Sequence, residues 1–314
     1  MSEDVLFEVS GGVGRITLNR PRQINALTTA MLAAIGDRLA DWIDDDAVEW
    51  VHLTGAGERG LCSGADVRAL RADLAERGEA AAEVFFTIEY AVDALIANYP
   101  KRVRADLSGI TMGGGLGLSA HCSERIVRAD SRLAMPETII GLFPDVGVLY
   151  ELSRAPGELG THLALTGGSV GAADAVLVGL ADHAVGDVGE GVLPGQRGWI
   201  DECYAGDDAL AIVRRLEDHP AAEARETATM LRQRCPFAVT VTLAALRRAA
   251  TLPDVAAVLG QDLALAVPTV LRPDFSEGVR AQVVDKDRKP AWQPARLEDV
   301  DPAEVAALFR DLGK

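Results

Sequence analysis

The chain has 314 residues, of which 48% are hydrophobic and 25% are charged, and its formal net charge at pH 7 is −16. This composition is typical of a globular protein and excludes a collagen-like, disordered or disulfide-stapled chain. Because such an acidic surface repels phosphate backbones and anionic lipid, we predict that the protein binds neither nucleic acid nor membranes.

The compartment is predicted from the N-terminus and the cysteines. Residues 1–12 are acidic and lack the basic and apolar regions of a secretory signal, and no run of 18 apolar residues follows. The four cysteines form no CxxC pair, and the five histidines show no metal-ligand spacing. We therefore expect a reducing, cytoplasmic setting and no metal.

A β-hairpin is predicted at the start of the chain, where residues 5–9 and 13–19 flank Gly11-Gly12. Thr28 is then the expected cap of a helix that reaches about Ile43. The apolar residues of this segment recur at helical spacing, so one face is expected to be buried.

The next elements alternate in the same way. A β-branched run predicts a strand over 48–54, and a Gly-rich turn covers 55–64. Asp66 is expected to start a helix, and a longer helix is predicted over 80–98, ending at Tyr99-Pro100.

A third group of short elements follows. Strands are predicted over 102–107, 126–129 and 132–134, and three glycines at 113–115 open a helix over 116–121. Since strands separated by helices pair through βαβ crossovers, we expect a mostly parallel sheet.

The second half of the chain is predicted to be mostly helical beyond Gly147. Residues 185–198 are rich in glycine and charge, which indicates a mobile loop or linker, and four or five helices are expected from Asp201 onward. The predicted division is an α/β core over 1–200 and a helical region over 201–314.

Two glycine-rich turns are the first candidate functional feature. Residues 113–115 lie between a strand and a helix, where they would leave backbone N–H groups free to bind negative charge. Taken alone, such a run is more often explained by a close helix–strand contact. Residues 60–66 form a similar turn, and one amide from each turn would make an oxyanion hole. Cys62 invites a nucleophile interpretation, but a small buried thiol is favoured because no nearby histidine supports activation.

Two acids in an apolar stretch are the second candidate feature. Glu137 and Asp145 lie within residues 135–147, and burial there would raise their pKa values and suit them to proton transfer. Taken singly, each also fits a structural role, a cap for Glu137 and a turn for Asp145.

Taken together, the segments resemble the crotonase, or enoyl-CoA hydratase/isomerase, superfamily. The matching elements are Asn19-Arg-Pro21 with Asn25-Ala-Leu27, residues 62–66, the three glycines, and Pro136-Glu137 with Gly141. Within the superfamily, the chain is most similar to the branch that hydrolyses 3-hydroxyisobutyryl-CoA in valine breakdown. That narrower match rests on residues 85–90, 99–101, 111–119, 141–147, 274–280, 285–287 and 290–294.

The resemblance implies a spiral core of ββα turns followed by a helical C-terminal region. It also implies that an acyl-CoA thioester carbonyl binds between the N–H groups of Ala65 and Gly114. Glu137 and Asp145 would be the catalytic acids, and Glu89 would bind the 3-hydroxyl of the substrate. Asp66 and Arg68 are candidates for contacts with CoA.

Two positions distinguish the chain from its superfamily. Hydratases place one of their two catalytic glutamates where Gly117 stands here, so two-carboxylate hydration is not expected in its usual form. Hydrolases continue the 141–147 block with glycines, whereas Val148 and Leu149 follow here. These larger side chains are expected to shrink the acyl pocket or to alter helix packing.

The leading hypothesis is a hydrolase for 3-hydroxyisobutyryl-CoA or a close 3-hydroxyacyl-CoA. Glu137 would attack the thioester to give an anhydride, or activate water. The alternatives are an enoyl-CoA hydratase or isomerase that works with Glu137 alone, and a non-catalytic acyl-CoA-binding protein. No cofactor is implied apart from the CoA of the substrate, and relatives assemble as trimers or hexamers.

Overall fold

A computed structural model describes residues 3–310 and 312. Residues 1–2, 311, 313 and 314 lie outside the described residues, and they include the start of the segment for which no secretory signal is predicted and the end of the predicted helical region. The element order is strands and helices in alternation up to residue 185, followed mainly by helices. This order agrees with the predicted α/β class.

A six-stranded sheet runs through the first part of the molecule, in the order β1-β2-β3-β4-β6-β8. The β1–β2 pair is an antiparallel hairpin, and every other pair in this sheet is parallel, so both predictions are confirmed. Strands β5 and β7 form a second, parallel pair. The strands are β1 (Val5–Ser10), β2 (Val13–Leu18), β3 (Trp50–Gly55), β4 (Arg102–Asp106), β5 (Ile110–Met112), β6 (Glu124–Arg128), β7 (Arg132–Ala134) and β8 (His183–Val185).

Fourteen α-helices occur among the described residues. They are α1 (Thr29–Ile43), α2 (Val67–Arg77), α3 (Glu79–Ala97), α4 (Gly114–Ala120), α5 (Leu149–Leu152), α6 (Leu159–Thr166), α7 (Ala172–Leu177), α8 (Leu193–Cys203), α9 (Ala209–Asp218), α10 (Ala222–Leu231), α11 (Pro236–Ala249), α12 (Val255–Val270), α13 (Pro273–Val279) and α14 (Pro302–Leu308). The predicted caps are confirmed, because Thr28 accepts from Met31 N at 3.2 Å and Asp66 accepts from Ala69 N at 3.2 Å.

The predicted linker over 185–198 is wrong in its second half. Helix α8 begins at Leu193 with Pro194 in its first turn, and its Trp199 and Ile200 side chains are buried. Burial of an apolar face therefore outweighs the weak helix propensity of the glycines. The described residues also contain six helices after α8, rather than four or five.

The helical region packs directly on the α/β core, chiefly through α12 against α3. The predicted boundary between residues 200 and 201 falls inside α8, and the division into two parts stays a prediction. Within the described residues, no single helix is long and apolar enough to cross a membrane. One pair, Val255–Val270 with Pro273–Val284, passes that test only jointly and is bent by 81°.

Asn25 joins the end of the hairpin to the Gly-rich turn after β3. Its side chain is fully buried, and Oδ1 accepts from Arg20 N at 2.9 Å. Its Nδ2 lies 3.1 Å from the Ala56 carbonyl, 3.2 Å from that of Gly60 and 3.0 Å from that of Leu61. One amide therefore satisfies several buried backbone groups and fixes the turn that continues to Ala65.

We expect Asn25→Ala to lower the free energy of unfolding by about 1–3 kcal/mol, because buried carbonyls lose their donor. Urea unfolding measures this change. Asn98→Ala is the matched control, since Asn98 is exposed and makes one bond, to Ala94 O at 3.0 Å. Equal stability losses in the two variants would contradict the role assigned to Asn25.

Candidate active site

A cavity of about 170 Å³ lies between the two glycine-rich turns, helix α3 and the segment after β7. Five residues singled out from the sequence line it together: Ala65, Glu89, Gly114, Glu137 and Asp145. The helical region contributes Phe275 and Val283 to the same wall. Residues far apart in the chain therefore meet at one site.

The two turns bring the Ala65 and Gly114 amides close together. A side-chain β-carbon placed on Gly114 would lie 3.5 Å from Ala65 N, and one placed on Gly64 would lie 3.5 Å from Gly114 N. Within the described residues, neither amide donates a hydrogen bond to the protein. Gly114 is the first residue of α4, so its N–H has no partner within the helix. The hydrogen bonds between the first turn and Leu27 are made by the residues on either side of Ala65. Two residues whose amides have no acceptor among the described residues thus line one cavity.

Glutamate side chains pack directly against the glycines of the second turn. Glu89 Oε1 occupies the space where a β-carbon on Gly114 would stand, and a β-carbon on Gly113 would lie 2.9 Å from Glu137 Oε1. Gly113 also has φ of +50°, which disfavours other residues. Glycine is therefore required at both positions, because the acids approach the backbone.

Burial raises the pKa of all three acids in the cavity. Burial first, and then the neighbouring Asp145 carboxylate, hold the pKa values of Glu89 and Glu137 well above their usual range. The pKa of Asp145 rises to about 6, again through burial, while the Tyr90 hydroxyl, which donates to Asp145 Oδ2 at 2.6 Å, opposes the rise. Asp145 is therefore the acid of the three that ionises first.

Sequence reasoning missed two further buried acids behind the cavity. Both carboxylate oxygens of Asp93 are buried without a hydrogen-bond partner among the described residues, and Asp262 Oδ2 accepts from Gly147 N at 2.8 Å. Burial, followed by the neighbouring acids, raises both pKa values well above the usual range. The available signal was spacing, since Asp93 lies four residues after Glu89 on α3.

Gly117 has no room for a side chain. A β-carbon there would lie 2.7 Å from Val146 Cβ and 2.8 Å from Asp93 Oδ2. Val146 belongs to the loop after Asp145, and Asp93 belongs to α3, so neither side chain is free to move aside. The place corresponding to the hydratase glutamate is therefore filled by these two side chains.

Cys62 is a buried structural thiol. Its side chain is fully buried, its Sγ lies 3.2 Å from Asn25 O and accepts from Gly64 N at 3.3 Å, and burial raises its pKa to about 12. A thiol with this pKa is not a nucleophile at neutral pH. The interpretation favoured from the sequence is confirmed.

The remaining predicted residues lie outside the cavity wall. Asp66 caps α2 and pairs with Arg20 at 3.1 Å, while Arg68 is exposed and donates to the carbonyl of the cavity residue Val283 at 3.0 Å.

Val148 and Leu149 are buried without lining the cavity, so they do not cause the expected loss of pocket volume. Across residues 3–310 and 312, no three His, Cys, Asp or Glu side chains are grouped to hold a metal.

The fold and this cavity together define a crotonase-type protein. The chain has the same fold as a solved structure titled carnitinyl-CoA dehydratase from Mycobacterium thermoresistibile, with a TM-score of 0.94 and 43% identity over 98% of this chain and 96% of that one. The TM-score is also 0.94 for a structure titled enoyl-CoA hydratase from Rhodobacter sphaeroides, which is 37% identical over 99% of this chain and 98% of that one.

Sequence comparison establishes the family. A family model described as enoyl-CoA hydratase/isomerase matches residues 13–189 and 186–309, and the chain belongs to that family. Two curated relatives are named 3-hydroxyisobutyryl-CoA hydrolase, mitochondrial. The one from Danio rerio is 35% identical over 98% of this chain and 90% of the relative. The one from Homo sapiens is 33% identical over 99% and 90%.

The buried acids predict a pH-dependent stability. Because the folded state raises the pKa of Asp93, it binds that proton more tightly than the unfolded chain, so stability falls as pH rises above about 4. We expect the free energy of unfolding of Asp93→Asn, relative to that of the unmodified protein, to increase by up to about 1.4 kcal/mol for each pH unit between pH 5 and 8.

Urea unfolding at several pH values in this range measures the effect. Asp218→Asn, at an exposed position on α9, is the control and should follow the unmodified protein at every pH. Parallel curves for Asp93→Asn and the unmodified protein would show that Asp93 is not held protonated.

Proposed function

We propose that the protein hydrolyses a short 3-hydroxyacyl-CoA thioester, with 3-hydroxyisobutyryl-CoA as the leading substrate. The observation that carries the proposal is one small cavity that combines two free amides with three buried carboxyl groups. The names of the relatives that match nearly the whole chain support the same reaction.

In this proposal the thioester oxygen binds between Ala65 N and Gly114 N. That oxygen gains negative charge when the carbonyl carbon is attacked, and two preorganised amides stabilise it. Loss of a single such donor in other enzymes raises the barrier by about 3–4 kcal/mol. The Gly114 amide is also the first N–H of α4, whose dipole favours negative charge.

Glu137 and Asp145 act in the proposal as a coupled pair that shares one proton. Two acids buried in one cavity cannot both ionise cheaply, so in the proposal one is a carboxylate and the other a carboxylic acid near neutral pH. The carboxylate takes a proton from the attacking water, and the acid protonates the departing CoA sulfur. The pair thereby supplies the base and the acid that hydrolysis requires.

Glu89 is the proposed contact for the 3-hydroxyl of the substrate. Its Oε1 is buried against Gly114 and has no hydrogen-bond partner among the described residues. An unpaired buried oxygen of this kind favours a ligand that supplies a hydroxyl group. The cavity volume of about 170 Å³ also restricts the acyl group to a short chain.

The rest of the CoA must lie outside this cavity, and Arg68 at its edge is the candidate contact for a phosphate. The cytoplasmic location and a homo-oligomer also stay predictions. The names of the curated relatives place those proteins in mitochondria.

Release of free CoA from a panel of acyl-CoAs, read with a thiol reagent, tests the function. Hydrolysis releases CoA from 3-hydroxyisobutyryl-CoA. The second candidate is hydration or dehydration, which the titles of the two solved structures favour. That reaction would change the thioester absorbance of unsaturated or 3-hydroxyacyl-CoAs without CoA release, and a protein that only binds acyl-CoA would do neither.

We expect Glu137→Gln to lower kcat by about 10²-fold or more with a smaller effect on KM, because the carboxyl group transfers a proton in the transition state. Steady-state CoA release measures both constants. Glu83→Gln is the matched control, at an exposed glutamate of α3, and should leave kcat unchanged. Near-normal turnover in folded Glu137→Gln would remove this residue from the mechanism.

Glu89→Ala should abolish most of the preference for 3-hydroxyisobutyryl-CoA over isobutyryl-CoA. A site that hydrogen-bonds a hydroxyl rejects the analogue without it, so the unmodified protein should prefer the hydroxylated substrate by about 10²-fold or more in kcat/KM. Glu83→Ala again serves as the control. Comparable kcat/KM for both substrates in the unmodified protein would refute the 3-hydroxyacyl specificity while leaving thioester hydrolysis open to the CoA assay.

A further inference from the structure

The residue after Asp145 has an unusual backbone conformation. Val146 has φ of +54°, in the left-handed region, and its side chain is buried. A β-branched residue rarely adopts this conformation, because its side chain crowds the backbone. The surrounding structure must therefore hold the Asp145–Val146 peptide in place.

Three side chains from separate elements hold this segment. The Tyr90 hydroxyl of α3 donates to Asp145 Oδ2 at 2.6 Å, and Asp262 Oδ2 of α12 accepts from Gly147 N at 2.8 Å. Between them, His121 Nε2 donates to the Val146 carbonyl at 2.8 Å. His121 follows α4 directly, so it connects the strained peptide to the helix that begins with the Gly114 amide.

Both nitrogens of the His121 ring face acceptors. Nε2 faces the Val146 carbonyl, and Nδ1 lies 3.2 Å from Glu151 Oε1. Only an imidazolium donates from both nitrogens. Burial lowers the pKa of His121 and the Arg125 guanidinium does so too, but Glu151 and the Val146 carbonyl outweigh them, so the pKa lies above its ordinary value.

We propose that His121 is a positioning residue for Asp145 and acts through the Val146 carbonyl. His121 does not line the acyl cavity. The residue belongs to the wall of a separate cavity of about 560 Å³, with Glu151, Arg125 and Arg154, while its side chain is fully buried. Arg125 is itself paired with Asp182 at 2.7 Å. The positioning of Asp145 by His121 is tested on the protein without substrate, and only its effect on turnover rests on the proposed function.

Titration of the Asp145 carboxyl carbon by ¹³C NMR tests the geometry without any reaction. Asp145→Asn assigns the signal. In the unmodified protein the pKa is about 6, with the Tyr90 hydrogen bond opposing the effect of burial. In His121→Ala the Val146 peptide relaxes, Asp145 moves away from Tyr90, and its pKa rises above that of the unmodified protein.

His121→Gln is the matched variant, because its amide reaches the Val146 carbonyl with a similar donor. It should restore the Asp145 pKa of the unmodified protein. Tyr90→Phe should raise the same pKa, and combining it with His121→Ala should add little, since both variants remove the same Tyr90–Asp145 hydrogen bond. An unchanged Asp145 pKa in folded His121→Ala overturns the proposal. His121→Leu, which fills more of the space but has no donor, replaces it where His121→Ala does not fold, and an unchanged Asp145 pKa in that variant overturns the proposal as well.

Turnover supplies the second readout. His121→Ala should lower kcat by about 10²-fold with little change in KM, and should move the acidic limb of the pH–kcat profile to higher pH, because a misplaced group loses its productive geometry. His121→Gln should recover most of both. Absence of CoA release by the unmodified protein would contradict the proposed function. A normal kcat and an unchanged acidic limb of the pH–kcat profile in His121→Ala would contradict this inference alone.

Discussion

The site depends on burying five carboxyl groups together with no cation paired to any of them among the described residues. Glu89, Asp93, Glu137, Asp145 and Asp262 form no ion pair among the described residues, and burial raises the pKa of each. Ionising all five would cost far more than folding provides, so most must carry a proton. The one strong donor in the group, the Tyr90 hydroxyl, selects Asp145 as the acid that ionises most easily. In the proposal, this hydrogen bond favours Asp145 as the carboxylate of the pair and Glu137 as its carboxylic acid.

Glycine supplies the space that these acids need. Gly113 and Gly114 accept the carboxyl groups of Glu137 and Glu89 against their backbone, and Gly117 accepts Asp93. Gly114, the first residue of α4, lines the cavity, and its N–H has no acceptor among the described residues. The triple glycine was open to two interpretations, an exposed amide or a close contact between elements. The structure contains both, because Gly115 also packs against Cys62.

Local pattern was sufficient for most of the elements but not for the site. The hairpin, the caps at Thr28 and Asp66 and the parallel strands follow from signals within a few residues of each element. The grouping of Glu89 with Glu137 required the family motif, since burial brings them together from distant segments. Asp262 was missed for the same reason, because nothing in its neighbouring sequence shows that α12 packs against α3. The signal for Asp93 was its spacing of four residues from Glu89 on α3. Helix α8 was missed because its buried Trp199 outweighs its glycines.

The structure also gives a physical reason to favour hydrolysis over addition of water to a double bond. Hydration in this superfamily places one water between two glutamates, and the first of these would stand at Gly117. Here Val146 and Asp93 fill that position, and Asp93 does not line the cavity. In the proposed function the second acid is instead Asp145, which directly precedes the residue with the strained backbone. Under that proposal an acid on this loop, rather than on α4, serves a water that attacks the thioester carbonyl carbon rather than a carbon of a double bond.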